Sequence, residues 1–353
     1  SLRLDPAVTR AASLATNKTY IKDQFYKGLA MEGYHIVATP VWEKWWWEPD
    51  TTPSTFYINN SVGETLFSYT KPLNEVMSYD VDLAVEMLLA SGYSWSGGAG
   101  SSVMVAGPVV ADRMQHLFGI PQDVIIGKTL SFECVTDYSD LKDKQITEYM
   151  ASEWIKAGIA ITPQYVDAAQ WSAMAYTYTY NILTTYWSGD IDPNYLCFIP
   201  TSYSLFGWNE FGVSTPEYDN LYLEQARTFD YEQRYSAVVN CSKWQYLSGS
   251  ILTTVYPYVC FAYNDGEWTN WGNWTEQPGL AMSHFWGEAP LWQQLEYVGG
   301  GDGTDNTMLM IALAAGVIVI AAVAATAVIL RKRKAATEEK AILEEEEGED
   351  LKD

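Results

Sequence analysis

Residues 129–161, TLSFECVTDYSDLKDKQITEYMASEWIKAGIAI, change hydrophobic period twice, and that change decides the fold class. Leu130, Phe132 and Cys134 alternate as on a strand, Ile146, Tyr149, Met150 and Trp154 return at helical spacing, Gly158 stops the helix, and Ile159 and Ile161 open a second strand. Strand, helix and strand in this order predict a βαβ unit with a parallel pair and a right-handed crossover, hence an α/β protein. A helix around Asp167 to Ala175 then leads into a third strand, Asn181 to Trp187, ending in Ser188-Gly189-Asp190. In open α/β sheets ligands gather beyond the carboxyl ends of the strands, so Asp190 stands where a ligand group would be met.

Outside this unit the helix starts are the clearest signals. Asp5-Pro6 precedes small apolar residues at helical spacing (Val8, Ala11, Ala12, Ala15), and Asn17 can cap a second helix that carries Ile21 and stops at Gly28. Asp80 caps a helix with Val81, Ala84, Val85, Leu88 and Leu89 on one face, closed by Gly92. Thr215-Pro216 opens another, and Asp230 with Gln233 forms a capping box for a helix running towards Leu247. Residues 35–78 contain Pro40, Pro49, Pro53 and Pro72 with little periodicity and are expected to form a long loop layer that includes Trp42, Trp45, Trp46 and Trp47. Residues 94–127 suggest no definite element. Within them Gly127-Lys128-Thr129 is no phosphate-binding loop, because Gln122 stands where that motif needs Gly.

The C-terminal end predicts a membrane anchor. Residues 308–330, MLMIALAAGVIVIAAVAATAVIL, are 23 residues without a charge, enough at about 1.5 Å per residue to cross a hydrocarbon layer of roughly 30 Å. Arg331, Lys332, Arg333 and Lys334 follow directly, so the positive-inside rule places residues 331–353 in the cytoplasm and the bulk of the chain outside a cell membrane crossed once. The part before Arg331 holds 15 basic and 35 acidic residues, a net of −20, which excludes the phosphate-neutralising surface of a nucleic-acid binder. No secretory signal precedes it and the first residue is Ser1, so a truncated or processed N-terminus is expected.

Four cysteines, Cys134, Cys197, Cys241 and Cys260, have no metal-binding spacing; outside the cell they allow up to two disulfides in three connectivities. Sequons begin at Asn17, Asn59, Asn240 and Asn273, as in an exported glycoprotein. No Ser/His/Asp or Cys/His order and no H-E-x-x-H occurs, so no enzyme, metal or cofactor is expected. The 15 Trp and 25 Tyr exceed what a core of this size needs, and some of these rings are expected to face a ligand or partner.

Taken in order, these landmarks resemble the C-terminal portion of the family 5 extracellular solute-binding proteins, the receptors of dipeptide and oligopeptide ABC importers. Arg10, Ala11 and Ala15 match an Arg-x-Ala helix, with Asn17 in place of the usual Asp. Tyr79-Asp80, Ala84, Leu88, Leu89 and Gly92-Tyr93 match a second motif, and Gly158-Ile159 a third. Trp187-Ser188-Gly189-Asp190-Ile191-Asp192-Pro193 matches a fourth, while Pro216-Glu217-Tyr218-Asp219 with Ala226, then Asp230 with Arg234, complete the series.

The resemblance implies a periplasmic-binding-protein-like fold of class II. Residues 1–250 would form the second ligand-binding lobe and 251–298 a segment returning to the first, followed by a Gly-rich linker over 299–307 and the anchor. Most of the first lobe would precede Ser1. Asp190 would meet the α-amino group of a peptide, Trp187 would line the cleft, and Trp45 and Trp46 are further candidates for stacking on a ligand. Asp192 is given no ligand role. The function implied is capture of peptides or similar small solutes and delivery to an ABC permease. Oligosaccharide binding, favoured by the Trp excess, and a non-transporting surface scaffold or sensor with the acidic tail Glu344–Glu347 as its interaction segment are the alternatives.

Overall fold

The computed structural model describes residues 2–37, 45–98, 102–187, 192–212, 215–258, 268–269 and 296–297. The helices and strands in chain order are α1 (Pro6–Leu14), α2 (Lys18–Phe25), β1 (Ala30–Glu32), β2 (Pro53–Asn59), β3 (Thr65–Pro72), α3 (Val81–Ala90), β4 (Tyr93–Trp95), β5 (Met104–Ala106), α4 (Pro108–Phe118) and α5 (Gln122–Ile125). They continue with β6 (Ser131–Asp137), α6 (Leu141–Trp154), β7 (Ala160–Val166), α7 (Ala168–Thr177), β8 (Ile182–Leu183), α8 (Asn194–Phe198), α9 (Pro216–Arg227), α10 (Tyr231–Ser248) and β9 (Val255–Pro257). These elements belong to one compact unit. A second unit, residues 266–269 and 297–353, has only Trp268–Thr269 and Tyr297 described, each in a two-residue strand.

The βαβ unit forms as its periodicity dictates. β6 and β7 pair in parallel from Ser131↔Ala160 to Asp137↔Val166, and α6 between them buries Ile146, Met150 and Trp154. Gly158 then takes a left-handed φ of 80°, and a Cβ there would lie 2.5 Å from Met104 Cγ and 2.9 Å from Trp95 Cζ3. Only glycine meets both conditions.

The third strand is shorter than Asn181–Trp187. β8 pairs with β6 only at Cys134↔Ile182 and Val135↔Leu183, giving the sheet order β7-β6-β8. Beyond it the Thr184 N–H still donates to Val135 O, but the Thr184 carbonyl accepts from Trp171 Nε1, so the backbone leaves the ladder.

Locally encoded caps organise the helical layer. Asp5 accepts from Ala7 N, Asn17 from Tyr20 N, Asp80 from Leu83 N, Thr215 from Tyr218 N and Asp230 from Gln233 N, each occupying one orphan donor of its helix. α1 and α3 pack on each other, burying Ala7, Ala11, Leu14, Ala84, Met87 and Leu88. The buried stripe of α3 is thus Ala84–Met87–Leu88, while Leu89, expected on the core face, is exposed. Residues 94–127, without a predicted element, hold β4, β5, α4 and α5.

This core contains an ion pair. Arg113 on α4 donates from Nη2 to Asp5 Oδ2 (2.6 Å) and from Nε to Oδ1 (3.2 Å), and Tyr93 OH donates to Oδ2 (2.7 Å). The side chains of Asp5 and Arg113 are 0% and 3% exposed.

The loop layer expected over 35–78 is corrected. β2 and β3 form an antiparallel hairpin from Pro53↔Pro72 to Asn59↔Thr65, with Phe56 stacked on Tyr69 at 5.5 Å. The two prolines face each other at its open end, where a missing N–H does little harm. Of β2 only Ile58 is buried, so the period-two signal was weak in hydrophobicity. β9 pairs antiparallel with β1, Met31 opposite Tyr256. Among the described residues no helix is long and apolar enough to cross a membrane; the segment 308–330 lies outside them.

Candidate functional site

The segment leaving β8 reaches Trp187 and resumes at Asp192, so Asp190 itself lies outside the described residues. Its two flanks are firmly held. The Trp187 ring meets Tyr195 edge-on at 5.7 Å and Trp208 at 6.0 Å, and Tyr195 and Trp208 are 5.9 Å apart, so three aromatic side chains close on one another. Edge-to-face contacts of this kind suit the ring quadrupoles and fix orientation. Trp208 remains 52% exposed, leaving ring surface for a ligand. Trp187 Nε1 is buried without a hydrogen-bond acceptor.

On the other flank Asp192 accepts from Asn194 N (2.8 Å) and takes the Arg234 guanidinium in a fork, Nη1 to Oδ2 at 2.8 Å and Nη2 to Oδ1 at 2.5 Å. Burial works against the Asp192 carboxylate, yet the Arg234 hydrogen bonds and the Asn194 N–H hold its pKa below the ordinary value. The same hydrogen bond raises the pKa of Arg234. Asp192 is committed within the chain, and Arg234 lies over the Trp45 ring at 4.9 Å while Trp45 meets Tyr231 at 5.2 Å. Trp45 and Trp187 both pack against one core cluster of Val37, Leu196, Cys197, Ile199, Tyr218 and Cys241.

Trp46 faces a different cluster. It is half-buried between His35 (4.8 Å) and Tyr256 (5.4 Å), and its carbonyl accepts from Tyr235 OH. His35 is fully buried; burial lowers its pKa to about 4, and in its neutral form Nε2 donates to Trp47 O (2.8 Å). The Tyr256 hydroxyl accepts from both the Tyr34 and His35 amides and donates back to His35 O. The structure thus brings Trp45 and Trp187 onto one cluster and leaves Trp46 on another. Trp42 lies outside the described residues.

Sequence reasoning missed several neighbours. Tyr195 and Trp208 follow Trp187 at no regular spacing, and only their aromatic character marked them. Glu210 is 4% exposed, accepts from Thr185 Oγ1 (2.9 Å) and Tyr176 OH (3.5 Å), and has a pKa raised by burial. This buried carboxylate touches the β8 exit two residues before Trp187. A separate small cleft is lined by Thr16, Lys18, Tyr34, Asn74, Tyr79 and Tyr246 among others, and includes none of Trp45, Trp46 and Trp187. Burial lowers the pKa of Lys18 to about 8, and its ammonium donates to Gly33 O. Among the described residues no group of three or more His, Cys, Asp or Glu is gathered for a metal ion.

Residues 4–207 match the family profile described as bacterial extracellular solute-binding proteins, family 5 Middle. No curated relative matches the sequence. Among solved structures, the oligopeptide-binding protein AppA of Bacillus subtilis, in complex with a nonapeptide, is similar at TM-score 0.55 and 16% identity, covering 72% of this chain and 42% of that one. An oligopeptide ABC transporter periplasmic oligopeptide-binding protein of Thermotoga maritima, with mannohexaose bound, is similar at TM-score 0.56 and 15% identity, covering 84% and 50%. NikZ of Campylobacter jejuni, in complex with Ni(L-His), is similar at TM-score 0.52 and 16% identity, covering 72% and 42%. The chain therefore spans about half the length of the solved proteins it matches, and shares their α/β periplasmic-binding fold over that part.

Proposed function

Since the chain belongs to the family 5 extracellular solute-binding proteins, we propose that it supplies one lobe of a receptor that captures peptides or similar small solutes and hands them to an ABC permease. The observation that carries this reading is the pair of anchors on either side of residues 188–191. Trp187 is braced by Tyr195 and Trp208 before them, and Asp192 is clamped by Arg234 after them. Asp190 falls between these anchors in sequence, and its carboxylate would pair with the α-amino group of a peptide. A buried ammonium left unpaired costs several kcal/mol, which is the source of specificity. Trp187 and Trp45, which share one cluster, would offer apolar faces to the remainder of the ligand.

The protein acts by binding alone, with no chemistry on the solute. Closure of two lobes would distinguish filled from empty receptors, and residues 251–298 would return to the first lobe. The apolar segment 308–330 would hold the receptor at the cell surface, with residues 331–353 in the cytoplasm.

A second reading has its own support. The aromatic trio with Trp208 half exposed suits sugar stacking, and the Thermotoga neighbour holds mannohexaose. Calorimetric titration of the full native polypeptide with a dipeptide-to-pentapeptide pool and with mannohexaose separates the two. Peptide heat that disappears in Asp190→Asn supports the amine reading. Saccharide heat unchanged in that variant replaces it with the sugar reading.

A further inference from the structure

Arg234, Val238, Cys241 and Gln245 follow one another on α10 at spacings of four, three and four, a single helix face. That face is turned to the segment around α8. Arg234 holds Asp192, two residues ahead of α8, and Gln245 donates to Tyr218 OH (2.7 Å), which in turn donates to Cys197 O (2.9 Å). Between these two ties Cys197 on α8 and Cys241 on α10 lie in one buried cluster as free thiols, both residues 0% exposed. Cys134 belongs to a different core cluster, away from both. Of the pairings open to Cys134, Cys197 and Cys241, the structure favours one.

We propose that Cys197 and Cys241 form a disulfide that fastens α8 to α10 close behind Asp192. The hydrogen bond to Cys241, together with burial, holds the Cys197 thiol well above its ordinary pKa, so in the closed core it is a poor nucleophile. Both thiols are sealed from solvent once this core has closed, so the bond forms before it closes. One cysteine thiolate attacks an external disulfide and expels one thiolate; the second cysteine attacks the resulting mixed disulfide and expels the other. Both protein thiols lose their protons, two electrons pass to the external disulfide, and it leaves as two thiols. Proteins outside the cell meet such oxidants routinely.

The inference depends on the extracellular reading only for its oxidant, so the test supplies one. The full chain, unfolded and reduced, is refolded in detergent with a reduced and oxidised glutathione mixture, quenched with iodoacetamide, and digested without reduction. The expected product is a cross-linked peptide pair joining Cys197 to Cys241, about 2 Da lighter than the two thiol peptides together, with Cys134 alkylated. Recovery of Cys197 and Cys241 both alkylated, or either linked to Cys134 or Cys260, overturns the proposal. A thermal measurement gives an independent check. Reductant lowers the melting temperature of the oxidised protein by about 5–10 °C and leaves Cys197→Ala/Cys241→Ala unmoved. An equal reductant effect on that double variant places the sensitive bond elsewhere and overturns the assignment.

Discussion

Asp5–Arg113 and Asp192–Arg234 are the same chemical pair in opposite surroundings. Each arginine grips its carboxylate through two nitrogens. The first pair is 0% and 3% exposed and sealed by Tyr93, whereas the second is 52% and 22% exposed and rests against Trp45. A buried pair is costly to assemble and costlier to break, because one partner alone is an unpaired charge out of water. A surface pair contributes little stability, typically under about 1 kcal/mol. Identical contacts therefore serve different ends: Asp5–Arg113 holds α1 against α4 in the core, and Asp192–Arg234 ties the entry of α8 to α10 near the surface.

The largest expected effect breaks the buried pair. Arg113→Ala should destabilise the fold by about 3–5 kcal/mol, or prevent folding, as measured by urea denaturation. Asp5→Asn keeps the helix-capping acceptor but leaves the buried Arg113 without its carboxylate, so it should cost a similar amount. A much smaller loss would mean that capping rather than charge pairing dominates at Asp5.

Next in size is a pH effect inside the same compact unit. His35 has its pKa lowered from 6.5 to about 4, so it is neutral in the folded state over a range where the unfolded chain takes up a proton. Its contribution to stability is complete above pH 6.5 and is lost as pH falls towards 4, with a slope of about 1.4 kcal/mol per pH unit. Asp143, raised from 3.8 to about 6 mainly by burial, has the opposite slope between those values. Subtracting the urea stability curve of His35→Gln from that of the unsubstituted protein at pH 4.5 and 6.5 isolates the histidine. A difference independent of pH would reject the assigned cause.

The next prediction concerns ligand rather than fold. Asp190→Asn should weaken peptide affinity by more than tenfold, about 1.4 kcal/mol or more, with the melting temperature unchanged. The smallest effect sharpens the comparison directly. Asp192→Asn should cost under about 1 kcal/mol in stability, against the several expected at the buried pair, while reducing ligand affinity through the loosened turn. A stability loss as large as that of Arg113→Ala would erase the distinction between the two pairs.

The sequence made local features legible and left non-local ones hidden. Asp5, Asn17, Asp80, Thr215 and Asp230 reveal themselves because a cap bonds an amide two or three residues away. The parallel unit of β6, α6 and β7 was visible because its buried residues keep strict periods. The β2–β3 hairpin was not, since its strands are only half-buried and its prolines suggested a loop. At the candidate site, the motif around Trp187 and Asp190 was readable, as was the likeness to a receptor family. Its braces were not: Arg234 lies 42 residues from Asp192, and no spacing rule joins them. Arg113 likewise reaches Asp5 across 108 residues.

The pairing of β1 with β9 has a consequence for how the chain is made. Tyr256 OH bonds the His35 amide, 221 residues away in sequence. On a ribosome adding about 5–20 residues per second, β1 waits roughly 10–45 s for its partner to be synthesised. Through that interval Ala30–Glu32 is a strand edge without a neighbour and His35 is a solvated, titratable imidazole. β9 is therefore the strand that completes the earliest one, and a nascent chain arrested before Val255 would carry an open edge for chaperones to cover.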